Sequence, residues 1–457
     1  MLSLAITLGA GIAWPAEIPQ IVQLAEAEFQ QVDFRMDAQG VLTIAGSTSE
    51  QIELPVVVNS KQSFIEKRFE SEQPLHCVRY YESARASMRI GKGSQTVSLN
   101  QTQPYIINNE TRDASRGSFQ IHSATGELSG AQIDLLRTPA NFLVINRFLR
   151  QATKVDESLW QPTDRDLALL LNVDTVTSNQ VRLKNAVSIS DRGSSQKTEI
   201  SLSGSVSGMA AGAETEIRLK GKFHIDETTH LVSQVDLDIR ESRKAGPAAP
   251  SFEITAVLQM KIKTLPTSPQ LSDETIAKLD FRDKISNQAV FSSPQNGFEL
   301  LHDQRWRVIS ERPGKVVLRM IDAGEMLSQC EIVAAANLPK GKFETLADFQ
   351  EQIRKSGGEQ ILRIVEASES AGLDGTQVIR VVATGILGDS PMNFMLYQLT
   401  NLDGRRISLL FSCEPSLAKQ FNDADLRLAE EFRFTRQPDS LTGETKSVAE
   451  KPASNDQ

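Results

Sequence analysis

Three cysteines and five histidines are all that 457 residues contain. Cys77, Cys330 and Cys413 lie too far apart for a zinc knuckle or a redox CxxC pair. No G-x-S-x-G elbow, Walker A loop, dinucleotide GxGxxG or H-E-x-x-H stretch occurs. Nucleophile-elbow hydrolases, phosphate-loop enzymes, dinucleotide-binding enzymes and zinc proteases of that type therefore have no support. Basic runs are absent too. Lys and Arg total 49 against 58 Asp and Glu, giving a formal charge of −9. Such a surface repels a phosphate backbone, so no nucleic-acid partner is expected. No segment is long and apolar enough to form a membrane helix.

What is present begins with MLSLAITLGAGIAWPAEIPQ. Leu2 to Ala13 is apolar or small, and Glu17 is the first charged side chain. A dozen such residues are too few to span a bilayer but suit a signal-peptide core. Gly11-Ile12-Ala13 has the small-x-small pattern of a cleavage site, and a cut after Ala16 is the alternative. Residues 1–16 are therefore expected to be a signal peptide, with the mature chain periplasmic or extracellular. No cysteine stands near residue 13, so no lipid anchor is expected.

The chain divides by composition. Residues 17–264 read as a β-rich domain, 265–287 as a linker opened by the Pro/Ser/Thr-rich TLPTSPQLSDET, and 288–436 as an α/β domain. Residues 437–457 lack aromatic residues and read as a disordered tail. The first domain is expected to be mainly antiparallel β: a curved sheet, half-barrel or sandwich with two short helices. Segments 180–190, 197–207, 214–226, 230–241 and 252–263 alternate apolar and polar over strand lengths. Weaker runs lie at 28–36, 40–46, 52–58, 85–91, 95–100 and 116–122. Residues 139–151 and 163–172 read as helices, with Thr163 as N-cap. In the second domain an antiparallel sheet flanked by helices is expected. Strands are read at 298–301, 305–310, 315–322, 329–336, 359–367, 376–385, 393–401 and 406–413. A helix follows Thr345, whose capping box is completed by Asp348. Another covers 416–433. Leu402-Asp403-Gly404-Arg405 reads as a type I′ hairpin turn.

Two resemblances follow. FSSPQNGFELLHDQRWRVI, with Gly297 and Trp306, and the closing LAEEFRF resemble the PsbP-like α/β/α sandwich family over residues ~288–436. That resemblance implies a fold and a lack of catalysis, since family members include binding and assembly factors. The long regular strands of the first domain resemble, in pattern, the half-barrels of periplasmic lipoprotein-carrier proteins.

The chemical candidates are few. His302, Asp303 and Trp306 fall within five residues, but alternation sends His302 to the core face and Asp303 to a turn. His224, Asp226 and His230 read as a hairpin in which paired residue numbers sum to 456, so that Ile225 faces Leu231 and Phe223 faces Ser233. Asp226 and His230 then face each other across the turn without metal. Cys330 and Cys413 are a candidate disulfide in an oxidising setting. No catalytic residue, metal site or cofactor is expected. The functional expectation is an exported, non-catalytic binding or assembly protein whose partner is another envelope or extracellular protein. The alternatives are a carrier of a hydrophobic ligand inside the first domain and a hydrolase with an interdomain site.

Overall fold

The computed structural model describes residues 28–45, 51–69, 76–110, 119–152, 159–189, 197–226, 228–279 and 288–436. The expected signal peptide and tail lie outside them.

Mostly antiparallel β structure fills both parts of the chain. The first contains β1 (Phe29–Ala45), β2 (Gln51–Arg68), β3 (His76–Ile90), β4 (Gly93–Ser98), β5 (Tyr105–Glu110) and β6 (Phe119–Ser123). Then come α1 (Gly130–Leu136), α2 (Phe142–Ala152), β7 (Leu159–Trp160), α3 (Asp164–Leu171) and β8 (Thr175–Asn179). The long strands β9 (Arg182–Ile189), β10 (Lys197–Ala210), β11 (Ala213–Asp226), β12 (Leu231–Arg243) and β13 (Ser251–Leu265) complete it. They form one open 13-stranded sheet, ordered β6-β5-β3-β2-β1-β13-β12-β11-β10-β9-β7, with β4 on β3 and β8 on β10. The pairing of β1 with β13 joins the two halves, setting Val32 opposite Ile262 and Phe34 opposite Met260.

Alternation explains the second half. Along β11, Ile217, Leu219, Phe223 and Ile225 are buried while Glu216, Arg218, Lys220 and Lys222 are exposed. The apolar face is covered by α1, α2 and α3, whose Ile133, Leu136, Phe142, Ile145, Phe148 and Leu167 join Phe34, Phe223 and Leu258 in one core. Thr163 caps α3 as expected, its side chain accepting from Asp166 N. A third helix, α1, was not foreseen. Its capping box is legible in hindsight: Ser129 accepts from Gln132 N, and Gln132 Oε1 accepts from Ser129 N at 2.9 Å.

Two runs expected as separate strands, 28–36 and 40–46, are the single β1. Gly40 interrupts the apolar pattern because a Cβ there would strike the Glu253 carbonyl of β13. The TLPTSPQLSDET stretch is not a free linker. Pro269–Leu271 makes one 3-10 turn and Asp273–Ala277 forms α4, capped by Ser272. Leu271 and Ile276 are buried against Phe29, Ile65, Val78 and Ile107. One of its serines, Ser272, is a helix cap, and cap residues share their composition with linkers. Residues 280–287 lie outside the described set.

The second part contains β14 (Gln288–Ser293), β15 (Phe298–Asp303), β16 (Trp306–Arg312), β17 (Lys315–Asp322), β18 (Glu325–Ala335) and α5 (Leu346–Gly357). It continues with β19 (Ile361–Ala371), β20 (Gln377–Leu387), β21 (Ser390–Thr400) and β22 (Arg406–Cys413). It closes with α6 (Ala418–Phe421), α7 (Ala424–Glu430) and β23 (Phe432–Phe434). Seven strands run β16-β17-β18-β22-β21-β20-β19, and β14-β15-β23 form a smaller sheet. Phe349 and Ile353 of α5 pack on Ile379 and Val381. On the opposite face Phe421, Ala424 and Leu428 pack against Tyr397, Leu409 and Phe411.

Three expectations need correction here. The helix expected over 416–433 is interrupted, because Asn422 and Asp423 adopt left-handed φ values of 46° and 55°. Its FRF ending is a strand, with Phe432 opposite Leu300 and Phe434 opposite Phe298. The Asp-Gly hairpin is not type I′: of that pair only Gly404 is left-handed, at φ 81°, and residues 401–405 form the connection.

The two parts meet along a polar seam. Val290 N donates to Leu128 O at 2.9 Å. Gln304 Nε2 donates to Ile121 O at 2.7 Å, and Arg137 Nη2 donates to Gln304 Oε1 at 2.6 Å.

Candidate functional sites

His302 is buried, as strand parity requires, and sits opposite Ala289 of β14. Its Nδ1 lies 2.9 Å from the Asp303 carbonyl, and burial lowers its pKa. Asp303 forms an ion pair with Arg305 at 2.9 Å. Trp306 is a core anchor, with ring centroids 5.9 Å from Phe411 and 6.3 Å from Phe421. The turn between them joins β15 of the smaller sheet to β16 of the larger one.

The β11–β12 hairpin forms, but not in the expected register. Phe223 faces Val235 and Leu219 faces Ile239, a sum of 458 rather than 456. That shift is an even number, so from Gln234 onward each side chain of β12 keeps its expected face. A bulge after His224 absorbs one residue, and Ile225 then faces Val232. Asp226 does not face His230. Its Oδ1 accepts from Thr228 N and Thr229 N, and it pairs with Leu231 in the ladder. His230 holds the left-handed turn position at φ 55°. His224 Nε2 instead lies 3.6 Å from Asp236.

All three cysteines are free and buried, so the candidate Cys330–Cys413 disulfide is not formed. Cys330 stands opposite Phe411, two residues before Cys413. The thiols are thus diagonal neighbours, whose Cα atoms lie ~7–8 Å apart in an antiparallel sheet, beyond ordinary disulfide reach. Burial raises the pKa of each thiol, which suppresses the nucleophilic thiolate.

Sequence reading missed a buried ionic network beneath α2. Glu66 of β2 is fully enclosed and accepts from Arg68 Nε at 2.9 Å and Arg79 Nε at 2.9 Å. Burial alone would raise the Glu66 pKa, but Arg79 and Arg68 outweigh it and the net shift is downward. Arg79 reaches Asn141 at 2.8 Å. Nearby, Arg147 of α2 binds Glu110 of β5 at 2.8 Å and Asp166 of α3 at 2.8 Å. These contacts tie the helices to the sheet. Each acid is matched by guanidinium groups, which gives this network the form of a structural clamp.

One enclosed space among the described residues is small. The space enclosed by Arg79, Phe119, Ile121, Leu136, Arg137 and Leu169 measures about 20 Å³. That suits one water molecule, far below the roughly 300 Å³ at which ligand sites begin. A hollow of about 450 Å³ lies on the outer face of α5, lined by Asp348, Glu351, Gln352, Lys355 and Ser356. All five are exposed residues of one helix, so it is a surface hollow and not an enclosed pocket. Among the described residues no three His, Cys, Asp or Glu side chains gather to hold a metal ion.

The most unusual surface is the β19 edge. Leu362 is 65% exposed and Val365 57%, the two most exposed large hydrophobics among the described residues. Ile386 (40%) and Leu387 (50%) are also exposed at the end of β20, past Gly385, the last residue of β20 paired with β19. The cause is local. Gly385 and Thr384 face Ile361 and Arg363, while Ala383 and Val382 face Ile364 and Glu366. Leu362 and Val365 are thus bulge residues, outside the ladder. Ile361 and Ile364 meanwhile pack on the α5 core.

No protein-family model matches the chain, and no curated protein does. Solved structures do. Cyanobacterial PsbP (CyanoP) from Synechocystis sp. PCC 6803 is similar over 33% of this chain and 95% of its own, at 18% identity and a TM-score of 0.27. Lipovitellin is similar over 54% of this chain and 26% of its own, at 6% identity and a TM-score of 0.27. The translocator domain of the autotransporter NalP from Neisseria meningitidis gives 6% identity and a TM-score of 0.14. None of these similarities assigns a family or an activity to this chain. No described helix is long and apolar enough to cross a membrane, which says nothing of crossing by strands.

Proposed function

We propose that this protein is an exported, non-catalytic binding protein that docks another protein of its compartment on the β19 edge. The exposed Leu362 and Val365 on the β19 edge carry the reading. Large apolar groups gathered on one edge of a sheet are costly in water and mark contact surfaces. The filled interior of the first sheet supports a scaffold more than a carrier of hydrophobic ligand. The thiols are buried, and the sequence candidates are held in turns and ion pairs, which supports a non-catalytic role.

The test is a photo-crosslinking side chain at position 362 of the full chain in its native host. Position 257, an exposed valine on the 13-stranded sheet, serves as control. A defined protein adduct at 362 and none at 257 is the expected outcome. No adduct at 362, or equal labelling at both, would refute the reading.

A further inference from the structure

The edge strand also specifies a partner. β19 begins Ile361-Leu362-Arg363-Ile364-Val365-Glu366. This stretch is self-complementary in charge about the Ile364–Val365 bond. Arg363 and Glu366 lie one position outside that bond on either side, with opposite signs, and both are exposed. Arg380 Nη1 holds Glu366 Oε1 at 3.1 Å and so fixes the carboxylate at the edge.

We propose that the β19 patch docks a second copy of this chain, forming a two-fold symmetric dimer. This rests on the docking reading above and names its partner. An antiparallel approach about an axis at the Ile364–Val365 bond places Arg363 of each copy opposite Glu366 of the other. The same approach sets Val365 of each copy opposite Ile364 of the other, and Leu362 opposite Ala367. A two-fold interface uses one patch twice, so a surface that complements itself is what it requires. The bulges at Leu362 and Val365 matter here. They break the regular ladder, so the contact is made by side chains and not by continuous strand addition. Bulged, charged edges resist open-ended strand addition.

Sedimentation velocity on the full chain tests this. The wild-type mass should rise from monomer to dimer as concentration increases to about 100 µM, a range that captures modest affinities. Leu362→Asp should stay monomeric over that range. Arg363→Glu should weaken association at least about tenfold, and adding Glu366→Arg should restore it by reversing both charges. Leu362 and Arg363 are exposed, so both single variants should keep the wild-type circular dichroism spectrum, and they decide the question if the double variant does not fold. A wild-type chain that stays monomeric throughout, or a Leu362→Asp variant that dimerises equally well, would overturn the inference. A monomeric chain that still crosslinks a different protein from position 362 overturns the dimer and leaves the docking reading standing. Absence of any adduct removes both.

Discussion

Asp425 of α7 accepts a hydrogen bond from the Tyr397 hydroxyl at 2.7 Å and holds the Arg380 guanidinium at 3.0 Å. Asp425 is buried, and Tyr397 is in the sheet core. Burial, and then the Asp425 charge, push the Tyr397 hydroxyl pKa well above its ordinary 10. The tyrosine therefore remains a donor. Arg380 extends to Glu366 on β19, so this contact links α7 to the edge strand.

Replacing Asp425 with alanine leaves the buried Tyr397 hydroxyl without its acceptor and the half-buried Arg380 with Glu366 as its remaining carboxylate partner. The expected cost is about 3–5 kcal/mol of folding stability. Tyr397→Phe keeps the ring and removes one bond to a charged group, costing about 1.5–3 kcal/mol. Urea unfolding of the two variants checks the ranking. Equal losses would show that the hydroxyl alone matters.

Acid should weaken the fold through His302. Burial depresses its pKa below the ordinary 6.5, so the folded state favours the neutral ring. Stability from this group is therefore full above pH 6.5 and is lost as pH falls through the depressed folded value. His76 is also depressed by burial and acts in the same direction. Glu66 is lowered despite its burial, because of Arg79 and Arg68, and its stabilisation is lost only at still lower pH, beneath the ordinary 4.5. Unfolding measured from about pH 7.5 to about pH 5 should show falling stability, and His302→Gln should reduce the slope without abolishing it. An unchanged slope in that variant would contradict the assignment.

The β11–β12 hairpin separates packing from turn geometry. Phe223 is fully buried, 5.5 Å from the Phe148 ring. Phe223→Ala should cost about 3–5 kcal/mol. His230 occupies a left-handed position that glycine adopts freely, so His230→Gly should change stability by less than about 1 kcal/mol. Thermal unfolding would contradict this if the order were reversed.

Strands with one wet face were legible in the sequence. From β9 to β13 alternation located every strand, as β11 shows most clearly, where buried Ile217, Leu219 and Phe223 alternate with exposed Arg218, Lys220 and Lys222. The exact register was not legible. Ser233 sits at a bulge, and nothing in its type shows that β12 carries one more residue there than β11. The inner strands were shortened in the sequence reading because Glu66, Lys67 and Arg79 look like surface residues. They are buried through partners distant in sequence, such as Asp273 for Lys67 at 2.6 Å. The β19 edge escaped notice for a related reason. ILRIV reads as an ordinary half-buried strand, and only the bulges and the edge position turn Leu362 and Val365 to water.

Binding through this edge is tested most directly by an affinity. The quantity is the dissociation constant of the full chain for whichever protein position 362 captures, its own second copy included. It should be measured for wild type, Leu362→Asp and the control Val257→Asp. The expected result is at least about tenfold weaker binding for Leu362→Asp, or about 1.4 kcal/mol, with Val257→Asp unchanged. Equal constants for wild type and Leu362→Asp would contradict the account.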